Sequence, residues 1–336
     1  MSPARLEQGE RDEILRRDIL PLYFPDDIEP ERPTFVLVAG QPGAGRSRAA
    51  ASFAGGDQVE VAVLNADDLR AFHPAFLESS STTDPDALSE VGQSVAGWVS
   101  GCIRYARQHR RSLALEGTFG NVIAAAGTAQ RFGAEGFRTR VVVVGSRRAE
   151  SLLSVLSGYL RDVQVGRRAT PTSRATHDEG FAATRSMVAS VEESGWTDRL
   201  TVIGRDGRVI FDVTGSDGAS FDGATAALVE AQTERLSRFD ATQWLSELHH
   251  ATEFASGRRG LPNEVAELLV DLHETSLREV IPGLRVPVNG KFTTAMEQKT
   301  VARLVALRQT LPSARPVDVA APVIVPGGPG VEGPSR

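Results

Sequence analysis

The sequence predicts an α/β protein: a parallel β-sheet flanked by helices, carrying a phosphate-binding loop and followed by a helical C-terminal extension. Three observations carry that reading. Short continuous apolar runs alternate with helical stretches from residue 34 to about 164, as strands covered on both faces do. The first run, Phe35 to Val38, leads straight into the glycine-rich "GQPGAGRS". The polar segments "NADD" and "EGT" also follow apolar runs directly, at strand carboxyl ends, where open α/β sheets place their ligands.

The elements follow in order. Residues 1–33 read as a helix, about Glu7 to Leu20, and a connector punctuated by Pro21, Pro25, Pro30 and Pro33. A strand over 34–39, the glycine loop and an Ala-rich helix over 46–54 open the domain expected over 34–221. A second strand runs from Val59 to Leu64, and a long helix over 86–109 precedes the strand 112–118. Helix 121–134, strand 138–144 and helix 147–164 continue the rhythm. Residues 177–195 read as a helix ending at Gly195, and 199–213 as a hairpin turning at Asp206-Gly207. The extension, 222–311, is helical over 222–256, 262–281 and 293–311, and reads as an appendage packed on the first domain. The Pro- and Gly-rich stretch 312–336 reads as a disordered tail.

Composition narrows the function. A net charge of −6 over 336 residues offers no electrostatic case for nucleic acid or an anionic membrane. No apolar run approaches membrane-spanning length, and the first 20 residues are charged rather than signal-like. The single cysteine, Cys102, excludes an internal disulfide framework and reads as buried packing in a helix beside Trp98 and Tyr105. These features lead to an expectation of a cytoplasmic protein. Nearly every basic residue is arginine, Lys291 and Lys299 being the only lysines.

The candidate site residues divide by segment. Gly40, Gly43, Ala44 and Gly45 complete the pattern G-x-x-x-x-G-K-S/T except that Arg46 stands at the lysine position. Such a loop turns backbone N–H groups toward an anion, and the next helix adds its N-terminal dipole. Ser47 stands where a hydroxyl meets the Mg²⁺ that bridges nucleotide phosphates. Arg46 keeps the positive charge and can grip phosphate with two parallel hydrogen bonds, but it is bulkier than a compact ammonium. Asp67 and Asp68 admit two readings, acceptor of a substrate hydroxyl's proton or helix N-cap. Arg70 pairs with phosphate or lies on the surface, and His73, before Pro74, reads as structural. Glu116 and Thr118 contact a substrate hydroxyl or cap the helix after Asn121. Arg161, Arg167, Arg168 and Arg174 form a solvated charged face or supply charge to a transferring phosphoryl group.

Taken together, "GQPGAGRS", "NADDLRAFHP", "LEGTF" and "RRATP" with its following "HD" resemble the zeta toxin family in order and spacing, over about residues 15–212. The resemblance implies a P-loop nucleotide-kinase-like fold and an ATP- or GTP-dependent kinase using Mg²⁺. It implies a nucleotide-sugar substrate, UDP-N-acetylglucosamine phosphorylated on its 3′-hydroxyl. Asp67 matches the family's catalytic base, Glu116 and Thr118 its substrate-contacting pair, and Arg161 and Arg168 the arginines that close on the phosphates. Arg46 matches the loop lysine and departs from it. That departure leaves a second reading open, a catalytically weakened nucleotide-binding or partner-binding protein. A separate antitoxin chain is a partner the resemblance allows.

Overall fold

The computed structural model describes residues 5–25, 30–54, 61–76, 85–167, 169–215, 220–258, 260–284 and 290–310. The expected tail over 312–336, the predicted start of the second strand at Val59, and Arg168 lie outside the described residues.

Six strands form one sheet in the order β2-β3-β1-β4-β5-β6: β1 Thr34–Ala39, β2 Ala62–Asn65, β3 Leu113–Gly117, β4 Arg138–Gly145, β5 Arg199–Gly204 and β6 Val209–Thr214. The first five pair in parallel, and β6 turns back antiparallel along β5. The chain places β3 on one side of β1 and β4 on the other. This reversal opens a crevice at the carboxyl end of β1, where the glycine loop emerges.

The continuous apolar runs explain why the sheet is covered on both faces. Phe35 and Leu37 join Leu113, Leu115, Val141, Val143, Leu200 and Val202 in one buried cluster. The alternate residues Val36 and Val38 join Ala114, Val142, Val144 and Ile203 in another. Helices α3 (Pro85–Gln108), α4 (Val122–Ala134) and α6 (Arg174–Ser194) cover the first face, with Trp98, Phe132 and Met187 fully buried. The N-terminal helix α1, Gln8–Ile14 continued by a π turn at Leu15–Ile19 into Leu20–Tyr23, adds Leu15 and Ile19 to the same cluster. Helix α2 (Arg46–Ala54) covers the second face through Ala49 and Ala50. Cys102 is buried in α3, and burial pushes its thiol up to about 12, so it packs rather than reacts.

Helix α5 (Arg148–Gln164) has a different set of neighbours. Its Leu152, Leu153, Leu156 and Leu160 share a core with Trp244, Leu248, Leu268, Leu269 and Leu272 of the C-terminal helices. These helices are α8 (Arg238–Ser256), α9 (Asn263–Thr275, continued to Gly283) and α10 (Lys291–Thr310). Trp244 Nε1 donates to the Ala149 carbonyl at 3.0 Å, sealing the junction.

The N-terminal helix runs on through Pro21 to Tyr23, the second strand is Ala62–Asn65, and two helices depart further from the sequence pattern. The helical stretch expected over 222–256 is two helices, α7 (Ala224–Thr233) and α8, because Glu234 turns extended at ψ 135°. Ser237 then restarts the chain as N-cap, its Oγ accepting the Asp240 N–H at 3.1 Å. Helix α6 begins at Arg174 rather than at His177, because Ser173 caps it by accepting the Thr176 N–H at 3.1 Å. It ends as expected at Gly195, which is left-handed with φ 57°.

Candidate active site

The glycine loop runs from the end of β1 into α2, and the structure shows what shapes it. Gly43 takes φ +76°, and a Cβ there would stand 2.2 Å from the carbonyl oxygen of Ser151 on α5. Only a glycine satisfies both the left-handed backbone and that approach. Gln41 is fully buried, and its Nε2 donates to the Ser146 carbonyl at 2.8 Å and to Ser151 Oγ at 3.2 Å. A Cβ at Gly180 would meet Pro42 at 2.7 Å, so α6 also presses on the loop. The loop is therefore held from behind by two helices.

Arg46 turns back on its own loop. Its Nη1 donates to the Gly40 carbonyl at 2.8 Å, and its Nε lies 3.5 Å from Glu116 Oε1 at the end of β3. Burial lowers its pKa from the usual arginine value, opposed by the carboxylates of Glu116 and Asp67. Ser47 Oγ donates to the same Glu116 oxygen at 2.9 Å. Three predicted site residues, Arg46, Ser47 and Glu116, thus meet at one carboxylate.

Asp67 and Arg70 stand one strand further out. Asn65, the last residue of β2, caps the following turn by accepting the Asp67 N–H at 2.9 Å. The cap role is thus taken by Asn65, which leaves the Asp67 carboxylate exposed and 3.3 Å from Arg70. Thr118 is half-buried just past β3, with Gly180 of α6 beside its methyl. Asn121 caps α4 by accepting the Ala124 N–H, so neither Glu116 nor Thr118 is needed there. His73 is buried, with Nδ1 accepting the Ala75 N–H at 3.2 Å and its ring 6.1 Å from Trp98, a packing role.

The arginines behave differently from one another. Arg161 is exposed near the end of α5, and its side chain forms no hydrogen bond or ion pair among the described residues. It follows Ser151 by about 15 Å of helix. Arg167 pairs loosely with Asp162 at 3.8 Å, and Arg174 is exposed at the start of α6. Sequence reasoning missed Arg205, which donates to the Gly43 carbonyl and to Ser154 Oγ from the end of β5. Burial lowers its pKa as well. Its signal was its place: it directly follows a strand, as "NADD" and "EGT" do, but the segment read only as a hairpin.

Beside Arg205 a cleft of 840 Å³ opens at the carboxyl ends of β4 and β5, lined among others by Arg48, Arg147, Glu150, Arg208 and Glu234. The loop thus separates two regions, the cleft on the β5 side and the exposed Asp67 on the β2 side. An anion on the loop would sit between a large polar cleft and the exposed carboxylate of Asp67.

No group of three or more His, Cys, Asp or Glu side chains among the described residues is arranged to hold a metal alone. Mg²⁺ in phosphoryl-transfer sites is held by one or two protein oxygens together with phosphate and water. The hard oxygens of Ser47 and Glu116, 2.9 Å apart at the loop's end, fit that demand.

Comparison with known proteins places the chain among relatives. The model of the family "Zeta toxin" matches residues 24–215, more than half of the chain. Toxin PezT of Streptococcus pneumoniae serotype 4 is 22% identical over 183 residues, covering 54% of this chain and 72% of that protein. Toxin zeta of Enterococcus hirae is 24% identical over 180 residues, covering 53% of this chain and 62% of that protein. Among solved structures, a chain from the PezAT chromosomal toxin–antitoxin system of Streptococcus pneumoniae superposes with a TM-score of 0.66 at 19% identity. It covers 76% of this chain and 100% of its own length, a likeness of fold.

Proposed function

The chain belongs to the zeta toxin family, and on that premise we propose that it transfers the γ-phosphate of ATP or GTP to a hydroxyl of a nucleotide sugar. The favoured acceptor is the 3′-hydroxyl of UDP-N-acetylglucosamine. Membership of the family supports the coarser statement, a nucleotide-dependent phosphotransferase. One observation carries the rest. The loop that would seat the phosphates lies between Glu116 at the end of β3 and a cleft beside β5, with the exposed carboxylate of Asp67 at the end of β2.

In this reading the loop N–H groups and the N-terminus of α2 bind the β- and γ-phosphates. Arg46 has five N–H donors, so holding Gly40 and Glu116 leaves others for a phosphate oxygen. Ser47, backed by Glu116, would hold Mg²⁺, which when bound neutralises charge on the phosphate oxygens. Thr118 and Glu116 orient the acceptor sugar. Asp67 takes the acceptor hydroxyl's proton as the oxygen attacks the γ-phosphorus, whose bond to the β–γ bridging oxygen breaks and releases the nucleoside diphosphate. Arg70, 3.3 Å from Asp67, holds that carboxylate in place. Arg161 and Arg168 supply charge to the equatorial oxygens in the transition state, and the exposed side chain of Arg161 leaves it available for that task.

A second reading, nucleotide binding with little or no transfer, draws on the engagement of Arg46 with its own loop. For either reading a separate antitoxin chain is the proposed protein partner, since the PezT relative belongs to a toxin–antitoxin system.

The test is a transfer assay with purified protein, Mg²⁺, ATP or GTP, and UDP-N-acetylglucosamine, read by mass spectrometry. A product heavier by one phosphoryl group, absent with Asp67→Asn, is the expected result. Nucleotide binding by calorimetry without product would favour the second reading.

A further inference from the structure

A continuous chain of hydrogen bonds joins the glycine loop to the C-terminal helices. Gln41 Nε2 donates to Ser151 Oγ at 3.2 Å, and Ser151 Oγ lies 2.9 Å from His177 Nε2 on α6. His177 Nδ1 lies 3.1 Å from Asp178 Oδ1. Arg148, at the start of α5, donates to both oxygens of Asp178 at 2.8 and 2.9 Å. The same guanidinium donates to both oxygens of Asp271 on α9, at 3.3 and 2.7 Å.

Chemistry assigns the direction of every link. Asp178, paired with Arg148, is an acceptor, so His177 Nδ1 carries the proton. Burial keeps the His177 pKa below its ordinary value, against the pull of Asp178, so Nε2 is a bare acceptor. Nε2 thus takes its proton from Ser151, whose Oγ accepts from Gln41 and also stands 3.1 and 3.2 Å from the Arg147 and Arg148 carbonyls. Gln41, Ser151 and His177 are fully buried, so this Ser–His–Asp order presents no nucleophile to a substrate. Its links close together only while α5, α6 and α9 hold one relative position.

We propose that Asp271 is a positioning residue for the phosphate loop. It clamps Arg148 against Asp178, and this keeps α5 where Ser151 Oγ accepts from Gln41 Nε2 and the Ser151 carbonyl faces Gly43. The Asp271 side chain is 10% exposed and lies beyond the family-matched region, which ends at 215. The C-terminal helices are on this view part of the nucleotide site. The inference rests on the proposed function only in taking the loop as the seat of the nucleotide.

Hydrogen–deuterium exchange on the full-length free protein tests it. Asp271→Asn removes the charge and keeps the shape. The loop peptide over 40–47 is expected to exchange about two- to thirtyfold faster, with α4 unchanged. Ser151→Ala is expected to do the same, and the double variant to add nothing, since the chain is then already cut. An unchanged loop in a folded Asp271→Asn protein, or strictly additive effects, would overturn the proposal. Should Asp271→Asn fail to fold, Asp271→Glu, which keeps the charge at a displaced reach, takes its place with the same expectation. Exchange is read without nucleotide, so it decides the positioning role by itself. Calorimetry of the wild type with ATP and Mg²⁺ decides the kinase reading separately.

Discussion

The guanidinium of Arg46 bridges the Gly40 carbonyl, 2.8 Å from Nη1, and the Glu116 carboxylate, 3.5 Å from Nε. Both side chains of the ion pair are shielded, 18% and 5% exposed, so the contact is screened far less than a surface pair. A lysine at this position could reach the carbonyl, the carboxylate or a phosphate, but a single ammonium cannot hold all three. Arg46→Lys is therefore expected to lower phosphoryl transfer by about tenfold, the loss of one charge-assisted hydrogen bond. Steady-state kinetics would check it. A rise in rate would mean that the arginine handicaps the site.

Asp67 is 70% exposed and its backbone is already capped by Asn65, so little of the fold depends on its carboxylate. Asp67→Asn is expected to cost about 10²- to 10⁴-fold in kcat while nucleotide affinity stays within twofold or so. Loss of nucleotide binding in the calorimeter would instead assign Asp67 to the metal or the loop.

The exposed Arg161 side chain forms no hydrogen bond or ion pair among the described residues that its removal would break. Arg161→Ala should leave the melting temperature unchanged and reduce transfer on the order of a hundredfold. An unchanged rate would return Arg161 to the solvated face.

Gly43→Ala meets both a left-handed φ of +76° and the Ser151 carbonyl at 2.2 Å. The backbone cost alone is about 1–2 kcal/mol, and α5 must also withdraw. The variant is expected to melt lower and to lose nucleotide binding, measured by calorimetry. Gly45→Ala, at φ +101° with open space around its Cβ, should show only the backbone cost.

Stability should fall in mild acid. Burial holds the His177 pKa below its ordinary 6.5, so the unfolded chain takes up a proton near 6.5 and the folded chain only at lower pH. Below 6.5 the unfolded state binds more protons, and stability declines as pH falls toward the folded value. His273, buried with Nδ1 on the Leu269 carbonyl, acts in the same direction. Thermal melts from pH 7.5 down to 5 are expected to show this decline, and His177→Gln to flatten part of it. An equal slope in that variant would remove His177 from the account.

The sheet and the loop are legible in short stretches of sequence. Alternate residues of runs such as Phe35 to Val38 pack on opposite faces, and the glycine spacing of the loop is a local backbone requirement; both are properties of short segments. The strand-end rule also marked Asp67, Glu116 and Thr118 as candidates, because topology alone sends such positions to one edge. Which of them meet is set by long-range docking. Glu116 comes to Ser47 across 69 residues, Arg205 comes to Gly43 across 162, and Asp271 comes to Arg148 across 123. No periodicity encodes such pairs, since each depends on how separate helices dock on the sheet. The same docking turned Arg46 back toward Glu116 and left Arg161 in solvent, placements that no single segment specifies.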